Sequence, residues 1–259
     1  MEQNQEKSRY WVLTCEHAAK RIPREYQGLG LARSQVADHI GWDIGARDVQ
    51  RVLARDLPAA AVYSTVSRLL VDPNRRPDEP SLIPSESDGI CIPGNQRLTK
   101  SERQFRLSQW HAPYHARVDE VLARACRRSP GRVRLLSIHS FTPVMGGRTR
   151  NFDIGVLFDA HVPLARAFGR ALKRLGLRVR YNEPYSGYDG LIYAAKRHGE
   201  AHDVPYVELE INNALIGKPA GGGSHGGAAA ARVAGDLKTK GPTRSAGRAW
   251  VDPGGSLQS

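Results

Sequence analysis

Two histidines stand directly after short apolar runs in this sequence: His17 follows YWVLTCE and His139 closes VRLLSIH. Two acidic residues, Glu208 and Glu210, lie within a third such run, PYVELEI. Open α/β sheets bind ligands beyond the carboxyl ends of their strands. Histidines and a carboxylate delivered there have the makings of a hydrolytic metal centre, because a catalytic zinc takes three ligands from His and carboxylate and leaves one position open. A further carboxylate can then move the proton as general base and acid. One histidine at a strand end is ordinarily structural; two at equivalent ends favour a metal.

A third ligand is needed. Asp43, in GWDIGA at the start of the first long helical pattern, could serve, or could be a plain helix cap. Glu16 competes for the role, but in an extended segment it points away from the face His17 uses, which favours Asp43. Strand alternation puts Val207, Leu209 and Ile211 on one face and Glu208 and Glu210 on the other. Carboxylates on a buried strand are costly unless something uses them, the alternatives being a wet sheet edge or arginine partners. Glu210, nearer the carboxyl end, is the preferred general base.

SRLLVDPNR places Arg68, Asp72, Asn74 and Arg75 where a strand runs into a loop. Guanidinium forks suit a substrate carboxylate, although a solvated Asp-Pro-Asn turn would use the same residues. Arg148 and Arg150 follow Gly146-Gly147, which would let a loop approach a ligand closely. His111 and His115 form an HxxxH without the adjacent glutamate of zinc proteases, so they read as helix residues, with His115 near enough to line a site. The turn Asn182–Gly187 has an edge facing the site. The nucleotide signatures GxGxxG and GxxxxGK[ST] are absent, as is the GxSxG serine elbow.

The elements that must position these residues alternate as in an α/β fold. Strands are expected at 10–16, 60–66, 133–139, 153–158, 177–181 and 205–211, and helical patterns at 33–57, 99–128 and 162–175, with Thr99 and Glu102 as a capping pair. The Pro-, Asp-, Ser- and Gly-rich stretch 73–96 reads as an excursion between layers. One domain over 8–240 is expected, ending in a short helix after GGGSHGG, with a disordered tail at 241–259; 11 of the 26 glycines fall in 217–259.

The charge of +12 is dispersed, with six basic and two acidic residues in 218–259 and no basic run interleaved with aromatics, so nucleic acid is not an expected partner. Three scattered cysteines make no disulfide framework or thiolate zinc site. No run is apolar enough for a membrane span and the amino-terminal residues are polar, so a cytoplasmic setting is expected.

The blocks CEHAAKRIP, DIGA, SRLLVDPNR, IHSFTP, NFDIGVLFD, NEPYSG and VELEINNALI, over about residues 10–216, resemble the N-formylglutamate amidohydrolase family. The resemblance implies a three-layer α/β/α sandwich like those of zinc exopeptidases and zinc amidases, and zinc-dependent hydrolysis of an acyl amino acid. It matches His17, Asp43 and His139 to the metal shell and Glu210 to the catalytic carboxylate. The chain departs from the family where Ile-Arg is typical after that glutamate and Ile211-Asn212 stands instead. A related hydrolase of another acyl amino acid or a peptidoglycan fragment, or a basic binding protein on the same scaffold, would share most of these features.

Overall fold

The computed structural model describes residues 9–217. The six apolar runs form one sheet: β1 (Tyr10–Cys15), β2 (Ala59–Tyr63), β3 (Val133–Phe141), β4 (Ile154–Leu157), β5 (Val179–Tyr181) and β6 (Tyr206–Asn212). Their spatial order is β2-β1-β3-β6-β4-β5. The first four in that order run parallel, whereas β4 lies antiparallel to β6 and pairs in parallel with β5. The sheet is therefore mixed.

Both faces are covered. Helices α1 (Ala46–Asp56) and α3 (Val162–Arg174) pack Val49, Leu53, Phe168 and Leu172 against Leu13, Leu136 and Leu209. On the other face, α2 (Ala112–Arg128) and α4 (Tyr193–Ala201) pack Val118, Leu122 and Ala195 against Val12, Leu135 and Tyr206. Each fully buried aliphatic side chain of this kind contributes roughly 1.5–3 kcal/mol. The expected three-layer α/β/α architecture is the one observed.

The helical pattern over 33–57 is interrupted. A single turn, Arg33–Val36, is followed by irregular chain, and α1 starts only at Ala46. The interruption comes from the sheet: the Asp43 N–H donates to the His17 carbonyl at 2.9 Å, pulling this segment over the end of β1. Gly45 then turns at φ 82°, and a Cβ there would lie 2.6 Å from the Ile216 carbonyl oxygen, so only glycine serves.

The pattern over 99–128 is continuous but contains a π turn at Leu107–His111. Thr99 Oγ1 accepts from the Glu102 N–H at 3.1 Å, as the capping pair predicts. Helix α4 has no counterpart among the sequence expectations. Its cap is Asn74, whose side-chain oxygen accepts from the Ala194 N–H at 2.9 Å from 120 positions away, so no local signal announces it.

The excursion after β2 folds back over the sheet's carboxyl edge. It has its own apolar contacts through Leu82, Ile83 and Ile92. Arg106, almost fully buried, holds it by donating to Asn95 Oδ1 at 2.7 Å and to the Leu70 carbonyl at 3.3 Å. The short helix expected after GGGSHGG and the tail at 241–259 lie outside the described residues.

Candidate metal centre

β1 delivers Glu16 and His17, β3 delivers Ser137 and His139, and β6 delivers Glu208 and Glu210 beside them, with Glu210 opposite His139 in register. The site thus forms at the carboxyl ends of three adjacent parallel strands, and the irregular segment ahead of α1 adds Asp43.

Three donor atoms converge. His139 Nδ1 lies 2.8 Å from Asp43 Oδ2 and 3.1 Å from His17 Nδ1, and His17 Nδ1 lies 3.4 Å from Asp43 Oδ2. Tetrahedral ligands about 2.0–2.1 Å from a zinc ion stand about 3.3–3.4 Å apart, so this triangle needs only slight expansion to hold a metal. Two imidazoles and a carboxylate also make a suitable donor set. Glu208 and Glu210 can form a second such group with His139.

The outer nitrogen of each imidazole is held by a buried carboxylate. His17 Nε2 meets Asp72 Oδ1 at 2.7 Å, and His139 Nε2 meets Glu16 Oε2 at 3.0 Å. An Nε2–H donated outward leaves the Nδ1 lone pair facing inward, which is how carboxylates orient metal-binding histidines. Glu16 is held in turn by Tyr114 Oη at 2.7 Å and Ser137 Oγ at 2.6 Å. Asp72 is held by Arg68 Nη2 at 2.9 Å.

This ring of carboxylates favours positive charge between the histidines. Burial alone would lower the His139 pKa, but Glu208, Asp43 and Glu16 outweigh it and push it well above the usual imidazole range. Burial would raise Glu16, yet hydrogen bonds from His139, Ser137 and Tyr114 bring it down to about 2. Asp43 and Asp72 are likewise lowered against their burial, first by His17. Glu208 and Glu210 behave oppositely: burial raises Glu208 to about 7 and Glu210 well above the carboxylate range. One oxygen of each, Oε2, has no hydrogen-bond partner among the described residues.

A cavity of about 220 Å³ opens onto this centre, lined by His17, Asp43, His139, Glu208 and Glu210 together with Arg68, Asn74, Arg75 and Tyr185. Arg68 Nη1 reaches 3.1 Å from His17 Nδ1 and 3.8 Å from Asp43 Oδ1. His39, bonded to Asp88 at 3.0 Å, forms part of the rim.

Several expected site residues lie elsewhere or are already engaged. Asp72, expected to face substrate, is instead committed to His17, Arg68 and the Asn74 N–H. Asn74 spends its amide on the Leu191 carbonyl at 3.3 Å and on Ala194. Arg148 and Arg150 line a neighbouring cavity, not this one. Gly146 and Gly147, at φ 56° and 72°, turn the tight hairpin between Val144–Met145 and Arg148–Thr149, which requires both in the left-handed region. Glu16 is on the His139 side but at the outer nitrogen, and Asp43 rather than Glu16 reaches the point of convergence. His115 is absent from the cavity wall and bonds His198 instead.

Two supporting residues escaped the sequence reading. Ser137 had a signal, since strand alternation puts it on the His139 face two positions earlier. Tyr114, 98 positions from Glu16, had none.

The chain resembles proteins of known structure. It matches a gene product of Agrobacterium tumefaciens at 38% identity and TM-score 0.79, covering 90% of this chain and 88% of that one. It also matches an N-formylglutamate amidohydrolase from Ralstonia eutropha JMP134 at 21% identity and TM-score 0.69, covering 90% and 93%, a likeness of fold. No curated protein sequence matches significantly. The family model for N-formylglutamate amidohydrolases matches residues 9–217, most of the chain, and the chain belongs to that family.

Proposed function

We propose that this amidohydrolase is a zinc enzyme that cleaves the amide of an N-acyl amino acid, with N-formyl-L-glutamate, giving formate and L-glutamate, as the family-typical substrate. The observation that carries the reading is the convergence of His17 Nδ1, His139 Nδ1 and Asp43 Oδ2 within 2.8–3.4 Å at the floor of a cavity that also holds Glu210. Those three residues would hold the metal, which supplies Lewis-acid polarisation of the amide carbonyl and activation of water at neutral pH.

The remaining steps fall to the chain's own groups. Glu210 stands beside His139 with one carboxyl oxygen uncommitted among the described residues, so it can take a proton from water and return it to the departing amine. Arg68, fixed by Asp72, and Arg75 bring positive charge to the cavity, where they would orient the substrate carboxylate. Asn212, standing where the family typically has arginine, accepts from the Ala214 N–H at 3.1 Å and donates to the Phe152 carbonyl at 3.1 Å. On this reading carboxylate recognition rests on Arg68 and Arg75.

The test is metal content by mass spectrometry, on protein purified without a histidine tag, together with turnover of N-formyl-L-glutamate. About one zinc per chain is expected in the wild type. His139→Ala should lose both zinc and turnover, while Glu210→Gln should keep zinc and lose turnover by about a hundredfold or more. Undiminished turnover in Glu210→Gln would refute the assignment of the base.

A further inference from the structure

A second cavity, about 720 Å³ and open to solvent, adjoins the first and shares Asp88 and Met145 with it. Its wall carries three arginines, Arg148, Arg150 and Arg180. Arg148 and Arg180 are exposed, and among the described residues neither guanidinium has an ion-pair or hydrogen-bond partner. Arg150 is held in place without a carboxylate. Its guanidinium lies 5.3 Å from the Tyr185 ring centre and 5.8 Å from that of Phe141, and its Nη2 is 3.1 Å from Met145 Sδ. Two acidic residues share the lining, Asp88 and Glu183. Asp88 is also bonded to His39 at 3.0 Å, and the lining sets three guanidinium groups against two carboxylates.

Sheet register relates this cavity to the metal centre. Arg180 on β5 pairs with Gly155 on β4, and Gly155 pairs with Glu210 on β6. Cross-strand partners project from the same face, so Arg180 and Glu210 leave the sheet on the same side from backbone positions two strand spacings, roughly 10 Å, apart. Between them stands a residue without a side chain. A Cβ at Gly155 would overlap the Glu183 carbonyl oxygen, so the glycine lets the chain at Glu183 lie close over β4 and partition the two cavities. Met145, Asp88 and the stacked Arg150–Tyr185 pair form the remainder of the boundary.

We propose that the arginine-lined cavity binds a carboxylate carried by the substrate roughly 10 Å from the amide to be cleaved, so that the favoured substrates are acyl amino acids extended by an acidic group. The proposal rests on the hydrolase reading of the neighbouring centre and names the substrate class for it. Unpaired guanidinium groups at a concave surface are the natural receptor for a planar carboxylate. The acidic extension can belong to the acyl side or to the amine side of the amide, and both present the same chemistry to the arginines.

Two pairs of compounds matched in length separate these sources. N-azelaoyl-glutamate against N-nonanoyl-glutamate places the extra charge on the acyl side. The C-terminal amides of N-formyl-alanyl-alanyl-glutamate and N-formyl-alanyl-alanyl-glutamine place it on the amine side. Binding is measured by calorimetry on the zinc-loaded Glu210→Gln protein, and cleavage of all four, with N-formyl-L-glutamate, on the wild type. In one pair the charged member should bind about tenfold more tightly, and Arg180→Gln or Arg148→Gln should bring that ratio toward unity. Ratios near unity in both pairs, or a ratio that survives both arginine substitutions, would overturn the subsite even if N-formyl-L-glutamate is cleaved. A charge preference that disappears in the arginine variants, without cleavage of any compound, would sustain the subsite and remove the hydrolase reading.

Discussion

The described residues bury two groups of histidines: His17 with His139, and His115 with His198 on one side and His111, its ring 4.4 Å away, on the other. The rings of His17 and His139 are centred 4.6 Å apart, and those of His115 and His198 5.0 Å apart. Their surroundings are opposite. The first pair is ringed by Glu16, Asp43, Asp72 and Glu208, and its inner nitrogens face one another and Asp43. The second lies between α2 and α4 with one carboxylate, Asp119, at its outer end. If His198 Nδ1–H donates to Asp119 at 2.8 Å, its Nε2 must accept from His115 Nδ1–H at 2.8 Å, and His115 Nε2 is left bare. That atom has no partner among the described residues. Burial accordingly drives His115 down to about 2 and lowers His198, whereas His139 is driven up. The carboxylates supplied to a buried histidine pair, more than the spacing of the rings, determine whether it can hold a cation.

Removing the metal should expose the difference most strongly. A metal that binds only the folded chain stabilises it by about 2.7 kcal/mol when present at a hundred times its dissociation constant. For a domain of this size that corresponds to a rise in Tm of about 5–10 °C on loading with zinc, reversed by a chelator. His139→Ala should show no zinc-dependent rise in calorimetric scans, and replacement of His115 by Phe should leave the rise intact. An undiminished rise in His139→Ala would place the metal elsewhere.

A finer cut keeps both histidines and alters only their support. In Glu16→Gln an amide replaces the carboxylate that holds His139 Nε2, so the outward hydrogen bond weakens and the Nδ1 lone pair is less firmly directed inward. Zinc affinity, read by competition with a chromophoric chelator, should fall about 10–100-fold. The Tyr114 and Ser137 hydroxyls remain to hold the glutamine in position, which separates loss of charge from loss of packing. An unchanged affinity would remove Glu16 from the support of the centre.

The contrast between the pairs also explains how much was legible in the sequence. The four inner strands announce themselves because each is a short apolar run buried on both faces, while the edge strands β2 and β5 are short runs bounded by turns and partly exposed. His17, His139 and Glu210 announce themselves as polar residues that close or interrupt such runs. Local pattern misleads where partners are distant: HxxxH at His111 and His115 looks more like a metal motif than any spacing among residues 17, 43 and 139. The break before α1 and the cap of α4 were hidden for the same reason, since His17 and Asn74 impose them from across the sequence. Asp72 read as a substrate contact because it lies among arginines, whereas the irregular chain after β2 brings it onto His17.

The smallest expected effect lies in the second pair and concerns pH. Folded His115 refuses a proton until about pH 2, while the unfolded chain binds one near pH 6.5. Its contribution to stability is therefore fully present above the unfolded value and is lost as the pH falls below it. Between pH 8 and pH 5.5 that loss amounts to about 1.4 kcal/mol. The lowered carboxylates take up protons in the unfolded chain only near pH 4 and below, so they add little in this window. His139 acts with the opposite sign in metal-free protein, losing stability as the pH rises, but it is present in both proteins to be compared. Replacing His115 by Phe retains a ring in the gap and removes the titrating group. Urea unfolding of the metal-free proteins at the two pH values should then show the wild type losing about 1.4 kcal/mol more than the variant. Equal losses would mean that His115 is protonated in the folded chain, and the distinction between the two histidine pairs would collapse.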